Sequence, residues 1–399
     1  MKLSSCSISS AFTFDGHSCR VWVSRFRTLS RLEGETDRMI YRRLLCTALA
    51  VTAALAASAQ SQAIPAGTPP GPYERSVVAA YPPYVPMQRV SGVIHVTGHG
   101  SAKIPWMKPL LAAWEKDLQR FQPGLTLEYR MDGTSAAVPS LWNGVGDIAI
   151  LGEEIDPVAV KTFERVKHHP PLVIQLFNGS VDVRNIDYAQ MFFVHKSNPL
   201  NELSLEELDG IFGEEHLRGG HNIRTWDQLG IRGTRAGKAI EPHGWRIDDS
   251  FGYFLEQALL DGSHRWNCRL HQYVHIYKAD GTIYDHGKQI LDNLAKDPNG
   301  IAVSNIRYAN ADVKPLAISV KPGGPYVKVS KESLIDGSYP LLRVIPAVID
   351  REPGMPVEPK LSEFLRYLLS REGQKVLIDD GRYLPLSVKD AAIERRKLD

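Results

Sequence analysis

Residues Val93 to Trp114 read "VIHVTGHGSAKIPWMKPLLAAW": a β-like run, a loop of glycine and serine, and an amphipathic helix, end to end. Pro105 sits where the first turn of a helix tolerates it. Met107, Leu110, Leu111, Trp114, Leu118 and Phe121 recur at helical spacing, so this helix buries one face. Downstream, "GLTLEYR" alternates as a second strand, "DGTSAAVPSLWNG" is a loop entering a helix, and "DIAIL" is a third apolar run. Strand, helix, strand, helix, strand is an α/β arrangement. Its right-handed crossovers make the strands parallel and gather the loops leaving their carboxyl ends on one sheet edge.

Two of those loops, "TGHGSAK" (Thr97 to Lys103) and "DGTSA" (Asp132 to Ala136), end at helix N-termini, where free N–H groups and the positive end of the dipole favour an anion. Glycine lets the backbone approach closely, and Ser101, Thr134 and Ser135 offer hydroxyl donors. A phosphate-binding P-loop is excluded because G-x-x-x-x-G-K-[ST] is missing, and "GHGSAK" lacks the third glycine of G-x-G-x-x-G. Each loop alone reads as an ordinary capped turn. A third case, "EPHGWRIDDSFGYFLEQALLDG", adds weight: Arg246 lies four residues before Ser250, read as the cap of a helix with Phe251, Phe254, Leu255, Ala258 and Leu259 on its apolar face. A guanidinium beside a helix N-terminus is an oxyanion clamp. The competing reading is a surface arginine paired with Asp248 or Asp249.

At 399 residues the chain is long enough for two domain-sized cores. From Met39, "MIYRRLLCTALAVTAALAASAQSQA" has two arginines, an apolar run too short to span a bilayer and an Ala57-Ser58-Ala59 cleavage site, the pattern of a secretory signal peptide. We expect residues 1–38 to be a misassigned upstream start, 39–59 the signal, and the proline-rich 60–89 an extended, semi-flexible leader, with the fold beginning near Val90. Loss of 1–59 removes eight basic and four acidic residues and takes the formal net charge from +2 to −2. A near-neutral protein has no electrostatic footprint for nucleic acid or anionic membrane. Of four cysteines only Cys268 would remain, so no intrachain disulfide is expected.

Several further stretches complete a pattern: "NPLNELSLEELDGIFG", with Ser204 and Glu207 as a capping box, "DPNGIAVSNIRYA", "GSYPLLRVI" and "FLRYLLSREGQKVLIDDGRYLPLS". In this order and spacing, from about Ser91 to Lys389, the chain resembles the phosphate-binding proteins of ABC transporters, extracytoplasmic binding proteins of the type II periplasmic class. The resemblance implies a two-lobed α/β fold with a ligand cleft between lobes. Lobe one would comprise 90–185 with 338–399, and lobe two 186–337. It implies a periplasmic, non-catalytic, monomeric protein that binds inorganic phosphate or a similar oxyanion, hands it to a membrane permease and needs no cofactor. The family's contacts fall on Gly100, Ser101, Gly133, Thr134, Ser135, Arg246 and Ser250. Two departures stand out. The family's third loop continues Ser-Gly-Thr, whereas Ser250-Phe251-Gly252 stands here. The aspartate that accepts a hydrogen bond from protonated phosphate is replaced by Gly152, which makes Glu153 the first candidate acceptor and Asp132 the second.

Alternatives in ligand are another oxyanion or a phosphorylated small molecule, and in class a phosphatase-like hydrolase. The latter has only His99 beside Ser101 in its favour, with no G-x-S-x-G elbow or H-E-x-x-H helix. His168, His169, His264, His271 and His275 lack a Cys or acidic partner at metal spacing along the chain, so no metal site is expected.

Overall fold

The computed structural model of the chain describes residues 67–100, 107–183 and 188–399. The expected upstream segment and signal peptide, and Ser101, lie outside the described residues. From Pro72 the order is α1 (Pro72–Ala79), β1 (Ser91–Gly98), α2 (Lys108–Leu118), β2 (Gly124–Arg130), α3 (Thr134–Trp142), β3 (Ile148–Ile150), α4 (Pro157–Lys167) and β4 (Leu172–Asn178). There follow β5 (Met191–His195), β6 (Glu202–Ser204), α5 (Leu205–Phe212), β7 (Glu241–Trp245), α6 (Ser250–Ala258), β8 (His271–Tyr273), β9 (Ile276–Tyr277), β10 (Ile283–Tyr284), α7 (His286–Leu294), β11 (Gly300–Ser304), β12 (Val313–Pro315), β13 (Ala317–Ser319) and α8 (Lys331–Ile335). The chain closes with β14 (Val344–Ile349), α9 (Pro359–Leu368), α10 (Arg371–Asp380) and α11 (Val388–Arg396).

Two five-stranded sheets carry the architecture. The first has the order β2-β1-β3-β14-β4, and β1 pairs parallel with both β2 and β3, as the crossover rule requires. β14 returns from the far end of the sequence and runs antiparallel to β3 and β4. The second sheet has the order β12-β5-β11-β7-β8, parallel along β11-β7-β8 and antiparallel where β5 meets β11 and β12. Each sheet has its own apolar core. Ile94, Val96, Leu110, Trp114, Phe177, Phe364 and Leu368 are buried around the first, and Phe192, Phe193, Phe212, Trp226, Trp245 and Ile301 around the second. The chain crosses from one sheet to the other after β4 and back before β14.

The amphipathic helix read from the sequence is present as α2. Leu110, Leu111 and Trp114 are fully buried, and Trp114 Nε1 donates to the Gly373 carbonyl at 2.8 Å. The Ser204–Glu207 capping box is formed. Ser250 is the first residue of α6 rather than its cap; Asp249 takes that role, accepting from the amides of Phe251 and Gly252.

The leader departs from expectation. Residues 72–79 form helix α1 with Pro72 at its start, and Tyr81 and Tyr84 are buried in the first core. Glu74, itself buried, holds Lys331 of α8, Tyr81 Oη donates to the Leu386 carbonyl at 2.9 Å, and Tyr84 Oη donates to Glu363 at 2.7 Å. Proline content suggested a tether, but Val77, Val78, Tyr81 and Tyr84 sit at helical spacing after an N-terminal proline, and their burial outweighs the weak propensity. Among the described residues no helix is long and apolar enough to cross a membrane, and Cys268 is a free, exposed thiol.

Candidate functional site

The loops leaving β1, β2 and β3 are stitched together by main-chain amides. His99 N donates to the Ile150 carbonyl at 3.0 Å, Gly133 N to the Gly98 carbonyl at 3.1 Å, and Gly152 N to Thr134 Oγ1 at 3.1 Å. The approach is so close that a Cβ on Gly98 would lie 1.9 Å from the Ile150 carbonyl oxygen, so only glycine fits there. Gly133, with φ 113°, leads into α3 without any side-chain cap on that helix.

These loops face α6, α7 and the β11 loop across a cleft of about 280 Å³. From the first sheet come His99, Thr134, Gly152 and Glu153; from the second come Tyr188, Asp249, Ser250, Phe251, His275, Asp285, His286 and Tyr308. Three helices begin on this lining: Thr134, Ser250 and His286 are the first residues of α3, α6 and α7. Their dipoles place positive ends at one spot. Asp249 caps α6 and Asp285 caps α7, which leaves α3 as the helix that opens without a side-chain cap.

Of the residues anticipated from sequence, Thr134, Glu153 and Ser250 line the cleft. Burial raises the Glu153 carboxyl above the ordinary glutamate value, against the opposing pull of the Arg343 charge and of the nearby Ser250 hydroxyl on the other wall. Gly100 lies beside Gly133, its carbonyl oxygen 3.4 Å from where a Gly133 Cβ would be, but neither lines the cleft. Ser135 and Asp132 are exposed and also off its wall. Arg246 departs most from the sequence reading: it is exposed and ion-paired with Asp248, as the competing reading had it, and only its charge reaches the wall, at Asp249.

Two residues of the site were not among those expected to face a ligand. His99 explains Gly152: a Cβ at Gly152 would fall 1.9 Å from His99 Nδ1, so the imidazole occupies the space that a side chain at 152 would need. Burial, with the Arg343 charge adding to it, holds that imidazole neutral by lowering its pKa to about 4. The second is Arg343, just before β14. It is 1% exposed, makes a bidentate pair with Glu154 (Nη2 to Oε2 at 2.6 Å, Nε to Oε1 at 3.2 Å), and lies over the rings of Phe251 and Phe254 at 5.1 and 5.0 Å. A guanidinium on the second crossing segment thus ties the first sheet's loop to helix α6, and its field reaches His99, Glu153 and Tyr188. Neither was expected as a contact: His99 stood only as the one hint of a hydrolase, and Arg343 lay inside the stretch "GSYPLLRVI" with no local sign of its burial.

The histidines also group differently from their spacing. β9 and β10 form a hairpin with Ile276 opposite Tyr284, which carries His275 to Asp285 and His286. The rings of His275 and His286 are 3.9 Å apart, centroid to centroid, and burial with the neighbouring His275 lowers the His286 pKa to about 4.

A family model, that of the PBP superfamily domain, matches residues 88–372. The chain is 29% identical over 320 residues to the phosphate-binding protein PstS of two Pseudomonas aeruginosa strains, covering 79% of this chain and 91% of theirs. Similar solved structures include PstS from Borrelia burgdorferi (14% identity, TM-score 0.47, covering 74% of this chain and 99% of that one) and an ABC-type phosphate transport receptor from Vibrio cholerae (14% identity, TM-score 0.45, covering 73% and 99%). With two sheets flanking one cleft and a family match over most of its length, the chain belongs to the PBP superfamily of two-lobed α/β binding proteins.

Proposed function

We propose that the protein is an exported solute-binding protein that captures phosphate in the interlobe cleft and presents it to an ABC importer. The observation that carries this reading is the convergence of three helix N-termini, one without a side-chain cap, on a single pocket between two sheets. Such a pocket offers N–H donors and partial positive charge to an anion. The name of the Pseudomonas aeruginosa relatives supports phosphate as the first ligand to test.

In this reading Thr134 and Ser250 supply hydroxyls and the α3 amides supply N–H donors. Glu153 accepts a hydrogen bond from the proton that phosphate still carries near neutral pH, Arg343 supplies the buried field, and Arg246 is a rim charge. Gly100 belongs to the first loop, beside Gly133 at the start of α3, and Ser101 follows it in the sequence. Lobe one comprises about 90–185 and 338–399, joined by α1, and lobe two 186–337. The two crossings act as a hinge, and the closed form, as a monomer, is what the permease recognises. Chemistry on the ligand is not part of this reading, because a hydrolase would need a nucleophile with a base and His99 is packed on Gly152.

Calorimetric titration of the mature chain with phosphate, sulfate and a phosphorylated sugar tests the reading, with phosphoester turnover measured on the same sample. Tight 1:1 phosphate binding without turnover is expected. Turnover of the ester, or no heat with any oxyanion, would overturn it.

A further inference from the structure

The lining of the cleft has a charge balance that an anion alone does not explain. Among the described residues it contains three carboxylates, Glu153, Asp249 and Asp285, and no lysine or arginine. It also contains three histidines, and two of them stand with one carboxylate in a group: a ligand atom from each of His275, Asp285 and His286 lies within 4.8 Å of the others. The placement is built by the fold. The β9–β10 register sets His275 across from Asp285, and Asp285 is fixed as the cap of α7 by the Gly287 amide at 2.9 Å. Asp249 flanks the group, with Oδ2 3.8 Å from His286 Nδ1.

From this geometry we infer that His275, Asp285 and His286 form a binding site for a divalent transition-metal ion, with zinc the best fit, in the lobe-two wall of the cleft. Two imidazoles and a carboxylate suit zinc, nickel or cobalt rather than calcium or magnesium, which prefer all-oxygen sets. Ligand distances of about 2.0–2.2 Å are reached by a modest closing of the three groups. The 3.2 Å hydrogen bond from the His286 amide to His275 Nδ1 is the contact such a closing would displace. Three protein ligands leave a coordination position open, and the group lines the same pocket as Thr134 and Ser250. A bound cation would offset the carboxylates and offer the anion a further ligand position. This last step rests on the oxyanion reading above; the cation site itself does not.

The test is a calorimetric titration of chelator-stripped mature protein, made without a polyhistidine tag, with zinc chloride alone. Wild type is expected to bind one zinc ion, and His275→Ala and His286→Ala each to weaken binding by roughly 10-fold or more, the scale on which groups around a metal act. Urea unfolding of both variants shows that they are folded. Cobalt substitution should give visible ligand-field bands that both variants lose. No 1:1 binding by wild type, or undiminished binding by both folded variants, would overturn the site. Phosphate is then titrated with and without zinc. Tighter phosphate binding with zinc supports the link to the anion. Equal binding overturns the link and leaves the oxyanion reading standing, whereas zinc binding with no phosphate binding overturns that reading alone.

Discussion

One wall of the cleft is shaped by backbone and the other by side chains. On the first sheet, Gly98, Gly133 and Gly152 bring three strand ends so close together that main chain and the His99 ring fill the space. On the second, Phe251 stacks on Tyr188 with ring centroids 5.1 Å apart and packs on Trp245 at 4.7 Å, while the titratable groups sit on helix starts. A backbone wall has little freedom, since an added methyl meets main chain or a packed ring. A side-chain wall can repack. The second wall should therefore tolerate substitutions that the first does not.

The seam between the walls should be the most sensitive place. Glu154→Ala leaves Arg343 buried without that carboxylate, and a stability loss of about 3 kcal/mol is expected by urea unfolding, toward the low end for a buried pair because Glu154 keeps 34% of its side-chain surface exposed. A loss as small as that of a surface pair would show that Arg343 does not hold the walls together.

Gly152→Ala should follow, at about 2 kcal/mol, because the new methyl meets His99 Nδ1. His99→Ala in the same chain should recover most of that loss, since it removes the colliding ring. On the other wall Phe251→Leu should cost less, about 1 kcal/mol, by loss of ring contacts that neighbours can partly refill. Equal, additive losses for all three changes would erase the distinction between the walls.

The His99 ring also gives the first wall a pH signature. Its pKa is about 4 folded against 6.5 unfolded, so between those values the unfolded chain binds more protons. Stability from this group is therefore full above about pH 6.5 and is lost as pH falls toward 4, by at most on the order of 3 kcal/mol. Glu153 has the opposite sign, since its raised carboxyl pKa adds stability at low pH that is lost as pH rises through the folded value. Subtracting the urea-unfolding profile of His99→Gln from that of wild type isolates the first effect. A flat difference between pH 4 and 6.5 would mean that the ring is not buried neutral.

Arg246→Ala should have the smallest effect, under about 1 kcal/mol, because its pair with Asp248 is exposed. The two arginines show how far the sequence could be read. Arg246 and Ser250 stood four residues apart at a helix start, and Thr134 and Glu153 each followed a glycine, so local pattern pointed to them. The parallel β1-β2-β3 core, helix α2 and the Ser204 box were legible for the same reason: each is a periodicity or a cap within a few residues. Arg343 and the β9–β10 hairpin depend on chain segments far apart in sequence. Burial of the former is decided by β14 returning antiparallel into the first sheet, and the meeting of His275 with Asp285 by strand register; spacing along the chain reports neither. Helix α1 was legible in principle, from Pro72 and the Val77, Val78, Tyr81, Tyr84 spacing, but proline content masked it.

Glu153, which lines the cleft together with Ser250, is proposed to accept a hydrogen bond from the ligand. Phosphate near neutral pH can donate one and sulfate cannot, so a site built to receive it can reject sulfate by something on the order of 10⁴. The direct measurement is calorimetric affinity for both anions in wild type and Glu153→Gln. Wild type is expected to bind phosphate and not sulfate, Glu153→Gln to weaken phosphate binding and narrow the gap, and a lowering of pH through the raised Glu153 pKa to narrow it in wild type as well. Equal binding of both anions by wild type, or unchanged selectivity in Glu153→Gln, would rule out that role for Glu153.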